Sequence, residues 1–128
     1  MPVDDLATAR ALYGGLLGCR EGRSAPRWVD FDFYGHQLSL HLAAGAGARG
    51  HKPVDGDAVP VPHFGVILRW DDWQELCTRL AGQPALIGPR IRFAGEAGEQ
   101  GTLFVRDPAG NALEFKSFRD PSRIFATS

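Results

Sequence analysis

Few residues in this chain combine a reactive side chain with a position suited to chemistry. Glu114 is the clearest. In Ala112-Leu113-Glu114-Phe115-Lys116 apolar and polar residues alternate, so Leu113 and Phe115 point to one face of a strand and Glu114 sits mid-strand on the other. A carboxylate there could also be a surface group paired with Lys116 on the same face. His63 opens a second apolar run, His63 to Trp70; taken alone, it reads more readily as a strand-end histidine hydrogen-bonded to backbone. His41 shares a strand face with Ser39; histidine as a residue type can carry protons near neutral pH, so it is either a proton shuttle or a rim histidine. His36 and His51 fall in a turn and a Gly/Pro-rich stretch and are expected to be exposed. Arg90, Arg92 and Arg106 could present cations to an anionic substrate, though surface ion pairs explain them more simply. Phe104 and Phe118 either line a pocket or fill the core. Ser39 has no Ser-His-Asp context, and Gly14-Gly15 lacks the Lys-Ser/Thr sequel of a phosphate loop.

The elements that must position these residues are legible as periods. Asp4 or Asp5 caps a helix whose apolar stripe is Leu6, Ala9, Tyr13 and Leu17, closed by Gly14-Gly15 and Gly18. A short weak strand fits between Cys19 and Pro26. Trp28–Phe33 and Gln37–Leu42 alternate cleanly and form a hairpin through Tyr34-Gly35-His36. Residues 43–62 are rich in Gly, Ala and Pro without a period, and read as a long loop. His63 to Trp70 is a strand; Asp71 or Asp72, with Glu75 for a capping box, starts a helix burying Trp73, Leu76, Cys77 and Leu80 and ending at Gly82. Ile87, Ile91 and Phe93 supply one strand, and Thr102–Arg106 with Ala112–Phe118 form a closing hairpin. Its turn, Asp107-Pro108-Ala109-Gly110-Asn111, combines Asp-Pro with residues that tolerate positive φ. The tail 119–128 packs at an edge or a partner.

Composition excludes several classes of function. With 128 residues the chain suits one compact domain, and a net charge of -1 from 14 basic and 15 acidic residues offers no nucleic-acid surface. No apolar run is long enough for a bilayer, and no signal-peptide pattern opens the chain. Two cysteines, Cys19 and Cys77, closing helical patterns imply buried thiols rather than a disulfide framework, and a reducing cytoplasm as the expected location.

The order helix, weak strand, hairpin occurs twice. Gly35-x-x-Leu38-Ser39-Leu40-His41 overlays Gly110-x-x-Leu113-Glu114-Phe115-Lys116, and Asp4-Asp5-Leu6 overlays Asp71-Asp72-Trp73. The second half opens with a strand eight residues before Asp71; its counterpart in the first half would start upstream of Met1. The first strand is therefore expected to be missing or truncated to a stub. Two βαβββ halves, the Pro62-His63-Phe64-Gly65-Val66 opening and the Asp107-Pro108-x-Gly110-Asn111-x-Leu113-Glu114-Phe115-Lys116 closing resemble the vicinal oxygen chelate superfamily, which includes glyoxalase I, extradiol dioxygenases, and fosfomycin- and bleomycin-resistance proteins.

The resemblance implies an α+β fold: two βαβββ modules (1–43 and 62–118, joined by linker 44–61) whose mixed sheet curls into a cup with helices outside. It implies a divalent metal held by His63 and Glu114, with the remaining histidine on the strand this chain lacks. The position equivalent to Glu114 in the first half is Ser39, where glyoxalase-like members tend to carry Glu or His. Ser39 thus favours the pattern of extradiol dioxygenases, which bind iron through two His and one Glu. Fe(II) is the favoured cofactor, with Mn, Ni or Zn as alternatives. Two imidazoles and a carboxylate on one face of a metal leave adjacent positions open for a bidentate substrate and O₂. The expected function is dioxygenation of a small catechol-like substrate, with His41 catalytic and Ser39, Phe104 and Arg106 lining the substrate pocket. The alternatives are a glyoxalase-like lyase or isomerase that recruits His41 as a ligand, and a metal-free drug-binding protein. A truncated first strand leaves a sheet edge open, so a homodimer with exchanged modules is expected.

Overall fold

In the computed structural model, residues 1–44, 50–54 and 57–127 are described. The chain divides into two compact units, Met1–Pro62 with Arg106–Ala112, and His63–Val105 with Leu113–Ser128.

The first unit holds a four-stranded sheet in the order β1-β4-β3-β2. β1 is Pro2–Val3, β2 Arg20–Ala25, β3 Trp28–Phe33 and β4 His36–Leu42. The first strand is the expected stub: two residues run parallel to β4, Pro2 opposite His41 and Val3 opposite Leu42. Strands β3 and β4 form the anticipated hairpin, and positive φ at Tyr34 (54°) and Gly35 (86°) closes its turn. Both residues beyond φ = 0 define the turn whose twist matches a two-residue hairpin. The alternation does what it promised: Val29, Phe31, Phe33, Leu38 and Leu40 are buried on one face. Against that face packs α1 (Leu6–Arg10), continuing as a π-helical stretch, Ala11–Leu16, with Gly18 beyond it at φ 71°. Asp5 is the cap, accepting from the Thr8 amide at 2.7 Å. The tilted ring pair Tyr13–Phe31, 5.8 Å between centroids, joins helix to sheet.

The second unit repeats this arrangement with β7 (His63–Leu68), β8 (Leu86–Arg92), β9 (Gln100–Arg106) and β10 (Ala112–Phe118) in the order β7-β10-β9-β8. Its helix α2, Trp70–Leu80, buries Trp73, Leu76 and Leu80. Trp73 donates its indole N–H to the Phe115 carbonyl at 3.0 Å. Its ring occupies the space a Cβ on Gly101 would need, 2.6–2.7 Å away, so Gly101 is a packing requirement. Together the two α/β units give the expected α+β class.

Three expectations change. The N-cap of α2 is Arg69, with no side-chain capping bond, and Asp71 and Asp72 lie inside the first turn. There a carboxylate still meets the positive end of the helix dipole, so the acidic pair keeps an electrostatic role without capping. Cys77 is half-buried rather than buried, and both cysteines are free thiols. The segment predicted as a loop carries a two-stranded ribbon, β5 (Gly50–Val54) against β6 (Asp57–Val61). Such a ladder needs only backbone partners, so no hydrophobic period announces it.

Candidate functional site

The closing turn is the best-anchored feature of the first unit. Asp107 is buried and accepts three hydrogen bonds: Tyr13 hydroxyl to Oδ2 at 2.9 Å, Asn111 amide to Oδ1 at 2.8 Å, and Asn111 Nδ2 to Oδ2 at 2.9 Å. Asn111 Nδ2 also donates to the Pro2 carbonyl at 2.7 Å. Burial, then the neighbouring Asp107 charge, raises the Tyr13 pKa well above the phenol range, so this hydroxyl is a fixed donor. The turn read from Asp-Pro and Gly-Asn is thus also a structural clamp. It ties helix α1 and β1 to the turn from which Glu114 emerges.

In the second unit the structure brings together the two expected ligands. His63 Nε2 lies 3.6 Å from Glu114 Oε2, with side chains 29% and 20% exposed. The other carboxylate oxygen, Oε1, faces Lys116 Nζ at 3.5 Å. Phe104 stands edge-on to the His63 ring, 5.0 Å between centroids. Gly65 makes the approach of β7 to β10 possible, because a Cβ there would collide with the Glu114 backbone. Of the two alternatives for Phe104, its burial fits core packing, and its ring also meets that of His63. On β8, Arg90 and Arg92 lie opposite Thr102 and Gln100, two and four residues before Phe104, and so on the same face of the sheet.

The donor set bears directly on metal binding. An imidazole nitrogen and a carboxylate oxygen 3.6 Å apart can share one divalent ion, since bonds of roughly 2.0–2.2 Å span up to about 4.2 Å. They suit Fe, Ni or Zn by ligand type. Open catalytic sites, however, use three protein ligands. Among the described residues no group of three His, Cys, Asp or Glu comes together. Of the expected ligands, only the pair His63 and Glu114 is brought together among the described residues.

The other expected site residues fall elsewhere. Ser39 and His41 belong to the first unit. His41 is exposed and sits opposite Trp28 and Pro2. Arg106 donates from Nη1 to the Gly110 carbonyl at 3.1 Å, bracing the turn. Ser39 donates to Asp30 Oδ1 at 2.5 Å. Asp30 was invisible as a functional candidate: in sequence it is one polar step of an alternating strand, yet its side chain is only 7% exposed. The signal was its register, directly opposite Ser39.

The family model for the Glyoxalase/Bleomycin resistance protein/Dioxygenase superfamily matches residues 1–115. The chain belongs to this superfamily. A crystal structure described as a glyoxalase/bleomycin resistance protein/dioxygenase from Alicyclobacillus acidocaldarius is similar at 30% identity and TM-score 0.75, covering 98% of this chain and 92% of that one. Fosfomycin resistance protein FosX from Listeria monocytogenes shares the fold at 16% identity and TM-score 0.71, over 98% and 93% of the two chains. FosX from Mesorhizobium loti does so at 16% identity and TM-score 0.64, over 95% and 90%. No curated protein matches. For this superfamily member, no helix among the described residues is long and apolar enough to cross a membrane.

Proposed function

We propose that the protein is a metal-dependent enzyme of the extradiol-dioxygenase type, acting on a small catechol-like substrate, with His63 and Glu114 holding Fe(II). The observation that carries this reading is the convergence of Nε2 and Oε2 across β7 and β10 on the polar face of one sheet. When bound, the metal would acidify and orient vicinal substrate oxygens. The chain's own residues have narrower tasks. Phe104 fixes the imidazole plane, and Lys116 Nζ, 3.5 Å from Oε1, offsets the charge of Glu114. Arg90 and Arg92, on the same face, favour a substrate that carries negative charge. A homodimer is expected: β7 is an edge strand with Phe64 42% and Ile67 44% exposed, the type of edge that pairs with a second chain.

The test is anaerobic loading with Fe(II), metal analysis, and oxygen uptake with catechols. One bound iron per chain, lost in His63→Ala and Glu114→Ala, is expected. Binding that survives both substitutions would overturn the ligand assignment, and a monodisperse monomer by light scattering would overturn the dimer. The cytoplasm is the expected location, checked by fractionation.

A second reading is favoured by one observation: Lys116 already compensates Glu114 without any metal. In that case the face binds a small molecule as bleomycin-resistance proteins bind a drug. Catechol binding that persists in chelator, with no turnover, would select it. A glyoxalase-like lyase using Ni or Zn would instead turn over without oxygen.

A further inference from the structure

The first unit carries a polar cleft that none of this chemistry uses. On the polar face of its sheet, β2, β3 and the start of β4 form an open, shallow cleft of about 350 Å³ lined by Arg20, Arg23, Asp30, Asp32, His36 and Gln37. The register of β2 against β3 shifts between Glu21 and Ser24, a bulge that places Gly22 and Arg23 over Asp30. Bulges re-aim side chains in this way and recur beside binding sites. Asp30 is 5% exposed and held rigidly, accepting from Ser39 Oγ at 2.5 Å and from Gln37 Nε2 at 2.8 Å. Those two bonds use roughly half of the four or so acceptor positions of a carboxylate.

The arginines are held differently. Arg23 Nη2 lies 3.6 Å from Asp30 Oδ2 and Arg20 Nη2 lies 3.7 Å from Asp32 Oδ2, with side chains 80% and 86% exposed. Both distances exceed the roughly 2.7–2.9 Å of a charge-assisted hydrogen bond, and exposed pairs of this kind hold weakly. Either guanidinium can therefore turn to grip a ligand carboxylate in fork geometry while Asp30 stays in place. Two arginines against two aspartates leave the cleft neutral, so a ligand of zero net charge adds no uncompensated charge. The anchor and the nearer cation are 3.6 Å apart, which limits the spacing of the ligand's own charges to a few bonds.

We propose that this cleft is a binding site for a small zwitterion, an α- or β-amino acid, whose ammonium is held by Asp30 and whose carboxylate is held by Arg20 and Arg23. The site does not depend on the metal reading. The probes are β-alanine, propionate and propylammonium, titrated into ¹⁵N-labelled protein in EDTA while amide shifts are followed. β-Alanine is expected to move Gly22, Gly35 and the Gln37 side-chain amide, and to bind at least about tenfold more tightly than either half-molecule, the worth of one charge-assisted hydrogen bond. Asp30→Asn and the surface double variant R20A/R23A should each weaken it by about the same factor. If Asp30→Asn fails to fold, R20A/R23A, confined to exposed side chains, decides alone. Equal affinities for all three probes, shifts mapping away from these residues, or unchanged binding in R20A/R23A would overturn the proposal. Because EDTA is present throughout, failure here leaves the Fe(II) experiment untouched, and the reverse also holds.

Discussion

Replacing Tyr13 by Phe isolates one hydroxyl in an otherwise preserved environment. The ring keeps its packing against Phe31, and only the donor to Asp107 Oδ2 disappears. Tyr13 is fully buried and Asp107 is 4% exposed, so water cannot replace the lost bond. A hydrogen bond to a buried charge is worth about 1.5–3 kcal/mol. Asp107 retains both Asn111 donors, which places the expected loss near the lower end, about 1.5–2 kcal/mol. For 128 residues, an unfolding entropy of about 2.1 cal/mol/K per residue turns that into a Tm drop of roughly 5–8 °C. Asp107→Ala removes all three accepted bonds and strands the Tyr13 hydroxyl and the Asn111 amide; about 3–5 kcal/mol is expected. The decisive experiment is the urea-denaturation cycle of wild type, both single variants and the double variant. If the network is as described, the double variant is hardly less stable than Asp107→Ala, giving a coupling of about 1.5 kcal/mol. Additive losses, or a Tyr13→Phe change below about 0.5 kcal/mol, would refute the clamp.

Three other outcomes follow from particular contacts. Gly65→Ala should unfold or misregister the second unit, because its Cβ would collide with the Glu114 backbone; a native-like spectrum and Tm in this variant would contradict the β7–β10 approach. Ser117 is fully buried with its Oγ lacking a partner among the described residues, so Ser117→Ala should stabilise, by about 0.5–1 kcal/mol in urea titration. Burial, with Asp32 as the secondary cause, pushes the Cys19 thiol up from 9.0 to about 11. The folded state thus holds this proton more tightly than the unfolded chain; the resulting stability is complete below pH 9 and is lost as pH rises through about 11. Wild type should lose more stability across that window than Cys19→Ala, and equal losses would count against the shift.

The sheet residues show how far a linear pattern reaches. Val29, Phe31, Phe33, Leu38 and Leu40 bury one face because a strand repeats every two residues, so alternation alone places them. The same rule put Glu114 on the polar face, and the family resemblance implied its pairing with His63. What the rule leaves open is depth. Asp30 and Asp32 occupy equivalent polar steps of β3, yet the side chain of Asp30 is 7% exposed and that of Asp32 45%. The bulge in β2 and the partners Ser39 and Gln37 decide that difference, and all three come from neighbouring strands. The cap of α2 was missed for a related reason: Asp71 and Asp72 look like caps, but the helix already begins at Trp70, with Arg69 as its N-cap.

The family resemblance implied the His63–Glu114 pair; from the sequence alone came the α+β repeat, the stub of a first strand and the strand faces. Each is written in local periods, turn residues and an internal overlay, which survive without knowledge of long-range contacts. Only the tertiary structure decided that Asp107 serves Tyr13, 94 residues away, rather than chemistry. It also decided that Gly65 must lack a side chain, that Asp30 floors a cleft, and that His63 and Glu114 stand as two donors without a third among the described residues. These are properties of which strands become neighbours, and a neighbour's identity is carried by packing and backbone pairing, not by any spacing along the chain.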